Sequence, residues 1–280
     1  MRVFMSVDIE GISGLVSWSQ CGGPNGTTYD WAFARRRMTA DTNAAIRGAR
    51  AGGANEIVLR DSHGSSKNLL FDDLEPGVRL VSGHGSLTDG MMIGIDDRFD
   101  AAMLIGYHAM AGTWGGIMEH TISNRVHRMS INGMGAGEIA LSTGTAGAYG
   151  VPVVCVTSDA AGCGEAEALI PGVTTACVKE GFGRYSGRLV DPDEAIARIE
   201  AAAQLGCERR TLVAPWQPTF PATLRLEFHH TEEADMSARL WGVKRVDGYT
   251  LEATGGSWAE LHQMAWAMIL HARLGAFAHD

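Results

Sequence analysis

Short apolar runs rich in β-branched residues alternate with longer alanine-rich stretches through the first two-thirds of the chain. Val3 to Val7 reads as a strand, and Trp31 to Arg50 reads as a helix with Asp30 as its N-cap and Gly52-Gly53 as its stop. Ile57 to Leu59 and Ala101 to Ile105 read as further strands, Gly137 to Ala148 as a helix and Val151 to Thr157 as a strand. Strands and helices in this order predict a mainly parallel sheet flanked by helices on both faces. The last third is patterned differently. Leu224 to Phe228 reads as a strand, and Trp241 to Val246 with Tyr249 to Ala253 as a hairpin turning at Asp247-Gly248. Trp258, Leu261, Ala265, Met268 and Ala272 recur at helical spacing and predict a core-facing stripe. Pro215, Pro218 and Pro221 mark a boundary segment. The expected fold class is α/β: a mainly parallel sheet flanked by helices over residues 1–210, with a smaller α+β C-terminal lobe over residues 211–280.

Composition narrows the partners. The 280 residues are 45% hydrophobic and 20% charged, enough to bury a core and unlike a disordered chain. The formal net charge of −9 disfavours nucleic acid as a partner, because an acidic surface repels phosphate. Cys21, Cys155, Cys163, Cys177 and Cys207 are odd in number, scattered, and form no C-x-x-C, which excludes a disulfide framework and a thiolate zinc knuckle. Reduced thiols predict a cytoplasmic protein. The apolar run at the N-terminus is too short for a signal peptide and is followed at once by Asp8. No run approaches the roughly 20 apolar residues that span a bilayer, so no membrane partner is expected.

The chemistry gathers where strands end. In open α/β sheets, ligands bind beyond the carboxyl ends of the strands. Here four apolar runs exit into Asp8-Ile9-Glu10, Asp61-Ser62-His63, Tyr107-His108 and Ser158-Asp159. A single histidine after a strand is usually a hydrogen-bonded structural residue. Several such ends delivered to one sheet edge change the odds. Asp8 and Glu10, two apart in extended chain, would share a face. Two carboxylates so placed repel unless a proton or cation sits between them. Carboxylate and imidazole without thiolate suit zinc, manganese or cobalt. Glu138 follows a glycine cluster at 133–137 and opens a helix, where the helix dipole alone would favour it. His120 follows the glycine-rich stretch Gly112 to Gly116. His84 reads as a loop residue, and His229 and His230 as structural residues of which one could line a cleft. H-E-x-x-H, G-x-S-x-G, the P-loop and G-x-G-x-x-G are all absent, which removes single-zinc helix proteases, serine hydrolases and nucleotide sites.

These stretches, together with Leu169 to Thr175, resemble the D-aminopeptidase (DppA-like) family of di-zinc metallopeptidases over about the first 180 residues, and more loosely to the end. The resemblance implies metal ligands at Asp8, Glu10, His63, His108 and Glu138, with Asp8 bridging, and a catalytic role for His120. It implies two divalent ions per subunit, with zinc expected, and an aminopeptidase acting on short peptides or amino-acid amides with a preference for D-residues. The two ions would activate a shared water, with His120 as general base and acid or as nucleophile. It also implies a ring-shaped homo-oligomer, a decamer, with active sites reached from an internal cavity. Two departures bear on substrate choice: one extra residue between His108 and His120, and a divergent glycine-rich loop from Cys21 to Tyr29. Two other classes compete. A two-metal phosphoesterase would use similar ligands plus a cation such as Arg60, Arg125 or Arg128. A ring scaffold that binds metal or peptide without turnover is the other.

Overall fold

The computed structural model describes residues 1–21, 28–85 and 89–275. Its centre is a seven-stranded sheet in the order β3-β2-β1-β4-β7-β8-β9. The strands are β1 (Arg2–Val7), β2 (Glu56–Asp61), β3 (Arg79–Val81), β4 (Ala101–Ile105), β7 (Val153–Asp159), β8 (Thr174–Gly183) and β9 (Ser186–Leu189). All neighbours run parallel except β8 and β9, which form a hairpin. β4 is buried at every residue, and β1 from Val3 onward, as expected for parallel strands covered on both faces. The helices α1 (Thr28–Ala51) and α4 (Pro192–Glu208) pack together on one face, and α2 (Glu138–Ala148) and α3 (Ala160–Leu169) lie on the other.

A second, antiparallel sheet has the order β11-β12-β10-β5-β6. It contains β10 (Ala222–Phe228), β11 (Lys244–Arg245) and β12 (Thr250–Gly255), together with β5 (Val126–Ile131) and β6 (Met134–Gly135). Strands from residues 126–135 therefore join those from the C-terminal third in one layer. α5 (Thr231–Ser237) and α6 (Trp258–Ala272) pack on each other and on this sheet.

The expected α/β class is present, with differences in detail. α1 starts at Thr28, so Asp30 lies inside the first turn, where the helix dipole favours a carboxylate, and is not the N-cap. β2 and β7 run on through Asp61 and Asp159, two residues past the apolar runs that reveal them. The first arm of the expected C-terminal hairpin shrinks to Lys244–Arg245. Asp191 caps α4 and Pro192 opens it, a start signal readable in Asp191-Pro192-Asp193-Glu194.

α2 joins the two layers. Its residues from Glu138 to Ala146 are all buried, because one side meets β4 and β7 while the other meets α6. Gly144 makes room for the Trp258 indole of α6, since a Cβ there would lie 2.2 Å from the ring. The indole Nε1 donates to Thr145 Oγ1 at 3.0 Å. Gly144→Ala should therefore overpack this contact and cost about 1–3 kcal/mol. The expected readout is a thermal midpoint lower by on the order of 5 °C. A midpoint within about 1 °C of the parent would mean that the ring moves aside freely.

Candidate metal centre and active-site cleft

The parallel sheet delivers β1, β2 and β4 side by side, so the residues that follow them meet. Asp8 leaves β1 with its backbone N–H still bonded to the Ile105 carbonyl of β4, at 2.8 Å. The chain then turns away from the strand. Asp8 and Glu10 do not share a strand face as their spacing suggests; a tight turn brings both carboxylates inward. Gly11 makes that turn possible, because a Cβ there would sit 1.7 Å from the Tyr107 carbonyl oxygen. Asp8, Glu10 and Glu138 are each 2–3% exposed.

Around these carboxylates stand three imidazoles. His63 Nδ1 lies 3.3 Å from Asp8 Oδ1 and 3.0 Å from Glu10 Oε2. His108 Nε2 lies 3.5 Å from Asp8 Oδ2 and 3.3 Å from Glu138 Oε1. His120 Nε2 lies 3.4 Å from the same Glu138 oxygen. The other nitrogen of each ring faces a backbone carbonyl: His63 Nε2 faces Cys21 at 3.2 Å, His108 Nδ1 faces Ala109 at 3.0 Å and His120 Nδ1 faces Met118 at 3.0 Å. A carbonyl only accepts, so these partners assign the ring hydrogen to that nitrogen and turn the other towards the carboxylates. Metal-ligating histidines are oriented in this way.

The donor set fits cations. Asp8 Oδ2, Glu10 Oε2 and His108 Nε2 are buried without a hydrogen-bond partner. Asp8, Glu10 and His108 offer ligand atoms within 4.8 Å of one another, and so do His108, His120 and Glu138. Without metal, protons fill the gap. Burial and the neighbouring Glu10 push Asp8 up to about 7. For His63 and His108, burial pulls downward, but facing Glu10 and Glu138 respectively outweighs it and both imidazoles rise well above their usual range. Burial raises Glu10 and Glu138 too, yet the facing imidazoles outweigh it and leave both lowered. His120 goes the other way: burial, then the neighbouring His108, lower it to about 4.

His120 is held by its surroundings. Its ring stacks on His108 with centroids 4.0 Å apart and meets Trp18 edge-on at 4.8 Å. Met118 and Ile122 flank it at positive φ, 55° and 61°, strained values for non-glycine residues. The strain positions the Ile122 N–H to donate to Glu138 Oε1 at 2.6 Å.

All six residues expected at the site converge, while two other acidic residues at strand ends are engaged elsewhere. Asp61 accepts from Asn68 and Leu69. Asp159 caps α3 through Gly162 at 2.8 Å and accepts from Ile117 N at 2.6 Å, steadying the loop that carries His120. Residues that the sequence did not single out support the centre. Lys179 of β8, wholly buried, donates from Nζ to the Glu10 and Leu15 carbonyls at 2.5 and 2.8 Å. A lone lysine inside the apolar run of β8 was the available signal. Asp41 of α1 accepts from Ser13 N and Oγ, both at 2.7 Å. These contacts clamp the turn that carries Asp8 and Glu10 from beneath.

A cavity of about 270 Å³ opens onto the cluster. Asp8, Glu10, His63, His120 and Glu138 line it, while His108 lies behind. The opposite wall is apolar, with Met91, Ile93, Trp266 and Leu270. His84, read as a loop residue, lines the cavity too. His229 and His230 are exposed and line an adjoining opening. Of the divergent loop after Cys21, residues 22–27 lie outside the described residues. Among the described residues, no helix is long and apolar enough to cross a membrane.

Comparison with known proteins gives the family. The profile of peptidase family M55, D-aminopeptidase, matches residues 1–267. A D-aminopeptidase of Bacillus subtilis (strain 168) is 34% identical over 255 residues, 89% of each chain. The solved structure of the Zn-dependent D-aminopeptidase DppA from Bacillus subtilis, described as a self-compartmentalizing protease, superposes with a TM-score of 0.92 at 32% identity, covering 98% of each chain. The chain belongs to the D-aminopeptidase family of metal-dependent peptidases.

Proposed function

We propose that this protein is a zinc-dependent aminopeptidase that removes N-terminal D-amino acids from short peptides or amino-acid amides, with Asp8, Glu10, His63, His108 and Glu138 holding two ions and His120 moving the proton. The observation that carries the reading is the orientation of the imidazoles. Three rings each commit one nitrogen to a backbone carbonyl and turn the other towards buried carboxylates, while Asp8 Oδ2, Glu10 Oε2 and His108 Nε2 are left without hydrogen-bond partners. Asp8 lies 3.3 Å from His63 and 3.5 Å from His108 and would be the carboxylate able to contribute to both sides of the cluster. Zinc ions held there supply Lewis-acid polarisation of the scissile carbonyl and acidify water.

The chain's own groups do the rest. Glu10 and Glu138 line the cavity, so the groups that would hold the ions face the incoming substrate. Burial keeps the His120 imidazole neutral, so it begins as a base. With Nδ1–H on the Met118 carbonyl, Nε2 takes a proton from the attacking water and returns it to the leaving amine nitrogen. His120 also belongs to one donor group, but it lines the cavity where His108 does not, which supports the proton-transfer role. The peptide-sized cavity and family membership favour this reading over a phosphoesterase or a scaffold without turnover. Of the arginines weighed for phosphate, Arg125 is occupied by Glu233 at 2.8 Å. The self-compartmentalizing relative supports assembly into a closed homo-oligomer, a decameric ring, and the reduced cysteines support the cytoplasm as its location.

Purified protein should contain two equivalents of zinc by elemental analysis and lose turnover of D-alanyl peptides on chelation. Metal-replete protein that leaves both D- and L-alanyl substrates intact would contradict the assignment. His120→Ala should keep the metal and lose more than about 100-fold in kcat, the usual scale of acid–base catalysis. Asp8→Ala should lose metal as well, and a variant that retains two equivalents would refute its bridging role. A fourth expectation concerns pH. His63 and His108 are raised in the metal-free fold, so the stability they give is fully present below pH 6.5 and is lost as pH rises through their folded values. Metal displaces those protons, so its stabilisation should grow with pH. The gap between metal-loaded and metal-free unfolding midpoints should widen from about pH 6.5 to about pH 8. A constant gap across that window would exclude these histidines as ligands.

A further inference from the structure

One cation in the cleft has no part in holding metal or in moving the proton. Arg60 is the penultimate residue of β2 and registers with Ser6 of β1 and Val81 of β3. It lines the same cavity as Asp8, Glu10, His63 and His120, yet the residue is only 3% exposed. Its Nη1 donates to the Gly83 carbonyl at 2.8 Å and its Nη2 to Ser66 Oγ at 3.0 Å, both uncharged acceptors. Its Nε is buried and has no partner. The neighbouring carboxylate of Asp61 is spent on Asn68 and Leu69. Arg60 forms no ion pair among the described residues.

A buried guanidinium whose hydrogen bonds go only to neutral acceptors is costly, and the neighbouring Asp61 carboxylate offsets the burial only in part, so Arg60 is lowered from its ordinary value. The cost is recovered when an anion arrives, and a guanidinium matches a carboxylate with two parallel N–H donors. The cavity carries charge of both signs: the carboxylates of Asp8, Glu10 and Glu138 line it, and so do Arg60 of β2 and Arg273, which follows the end of α6. The Arg273 side chain likewise has no ion pair among the described residues, while its backbone N–H caps α6. Met91, Ile93, Trp266 and Leu270 add apolar surface to the same lining. A small peptide complements this lining: an amino terminus and scissile bond at the cluster, a short apolar body, and a carboxylate that Arg60 can meet.

We propose that Arg60 is a specificity-determining residue that binds the free C-terminal carboxylate of a dipeptide-sized substrate. The inference rests on the aminopeptidase reading of the same cavity and adds recognition of the end of the substrate beyond the scissile bond. Pinning that carboxylate within about 270 Å³ favours dipeptides over longer chains and over C-terminal amides. A purely structural alternative is that Arg60 clamps the turn after β2, through Ser66, to the Gly83 loop.

The test compares zinc-loaded, full-length protein on D-alanyl-D-alanine and on its C-terminal amide, which keeps the scissile bond and lacks the charge. The parent should favour the acid by at least ~10-fold in kcat/KM, since a polar site rejects an analogue that leaves its groups unpaired. Arg60→Met should cost roughly 100-fold on the acid, mainly through KM, and less than about 3-fold on the amide, with Arg60→Lys recovering part of the preference. Equal losses on both substrates would mark a clamp and overturn the proposal. So would a parent enzyme that does not distinguish them, whatever the fate of the variants. If the parent hydrolyses neither compound, the aminopeptidase reading fails, and calorimetric titration decides the Arg60 proposal separately. Tighter binding of the acid that disappears in Arg60→Met supports it, and equal binding of acid and amide overturns it.

Discussion

Three carboxylates share one corner from which water is nearly excluded, and like charges at that separation cannot all ionise without compensation. Much of the surrounding architecture answers that repulsion. Imidazoles stand against each carboxylate, and each is aimed by a backbone carbonyl behind it. In the metal-free fold the cluster holds protons on His63, His108 and Asp8. Two divalent cations are the stronger compensation, and the unpartnered atoms mark where they are needed. Folding and metal binding are thus coupled through the same groups.

Holding such a corner together requires rigidity from outside it. The turn bearing Asp8 and Glu10 is pressed against β4 at Gly11, bonded from below by Lys179, and tied to α1 through Ser13 and Asp41. The loop bearing His120 is fastened by Asp159 and carries positive-φ residues on each side. Each support comes from a different part of the chain. The arrangement resists the relaxation that would otherwise let the carboxylates separate and take up water.

The second layer gives the site its shape. α2 presents Glu138 at its first turn while its far side receives Trp258 of α6. The same helix α6 supplies Trp266 and Leu270 to the cavity wall. The antiparallel sheet and its helices therefore act on the chemistry indirectly, by closing one side of the cleft over a cluster built on the parallel sheet. Arg60 shows the complementary effect on the parallel side, where burial makes an isolated charge selective for what it will accept.

Alternating apolar runs and alanine-rich helices made the parallel sheet legible, because fully buried strands need continuous apolar sequence. The residues after those runs revealed most of the donors, since parallel strands must end at one edge. Asp8, Glu10, His63, His108, His120 and Glu138 could all be named from chain position and resemblance. Sequence did not distinguish Asp61 or Asp159 from the donors that meet, because strand-end position says nothing about which way a side chain turns. β5 escaped notice because Val126-His127-Arg128-Met129 lacks clean alternation, and only its pairing with β10 makes it a strand. Lys179, Asp41 and the unpaired Nε of Arg60 gain their meaning from neighbours more than twenty residues away in the chain, or from the lack of a partner in space. Local pattern determined which elements form and which chemical groups the sheet edge offers. Tertiary structure alone decided which carboxylates meet imidazoles, which are spent on backbone, and which buried charge still wants a partner, because those are distances between segments that the sequence does not order.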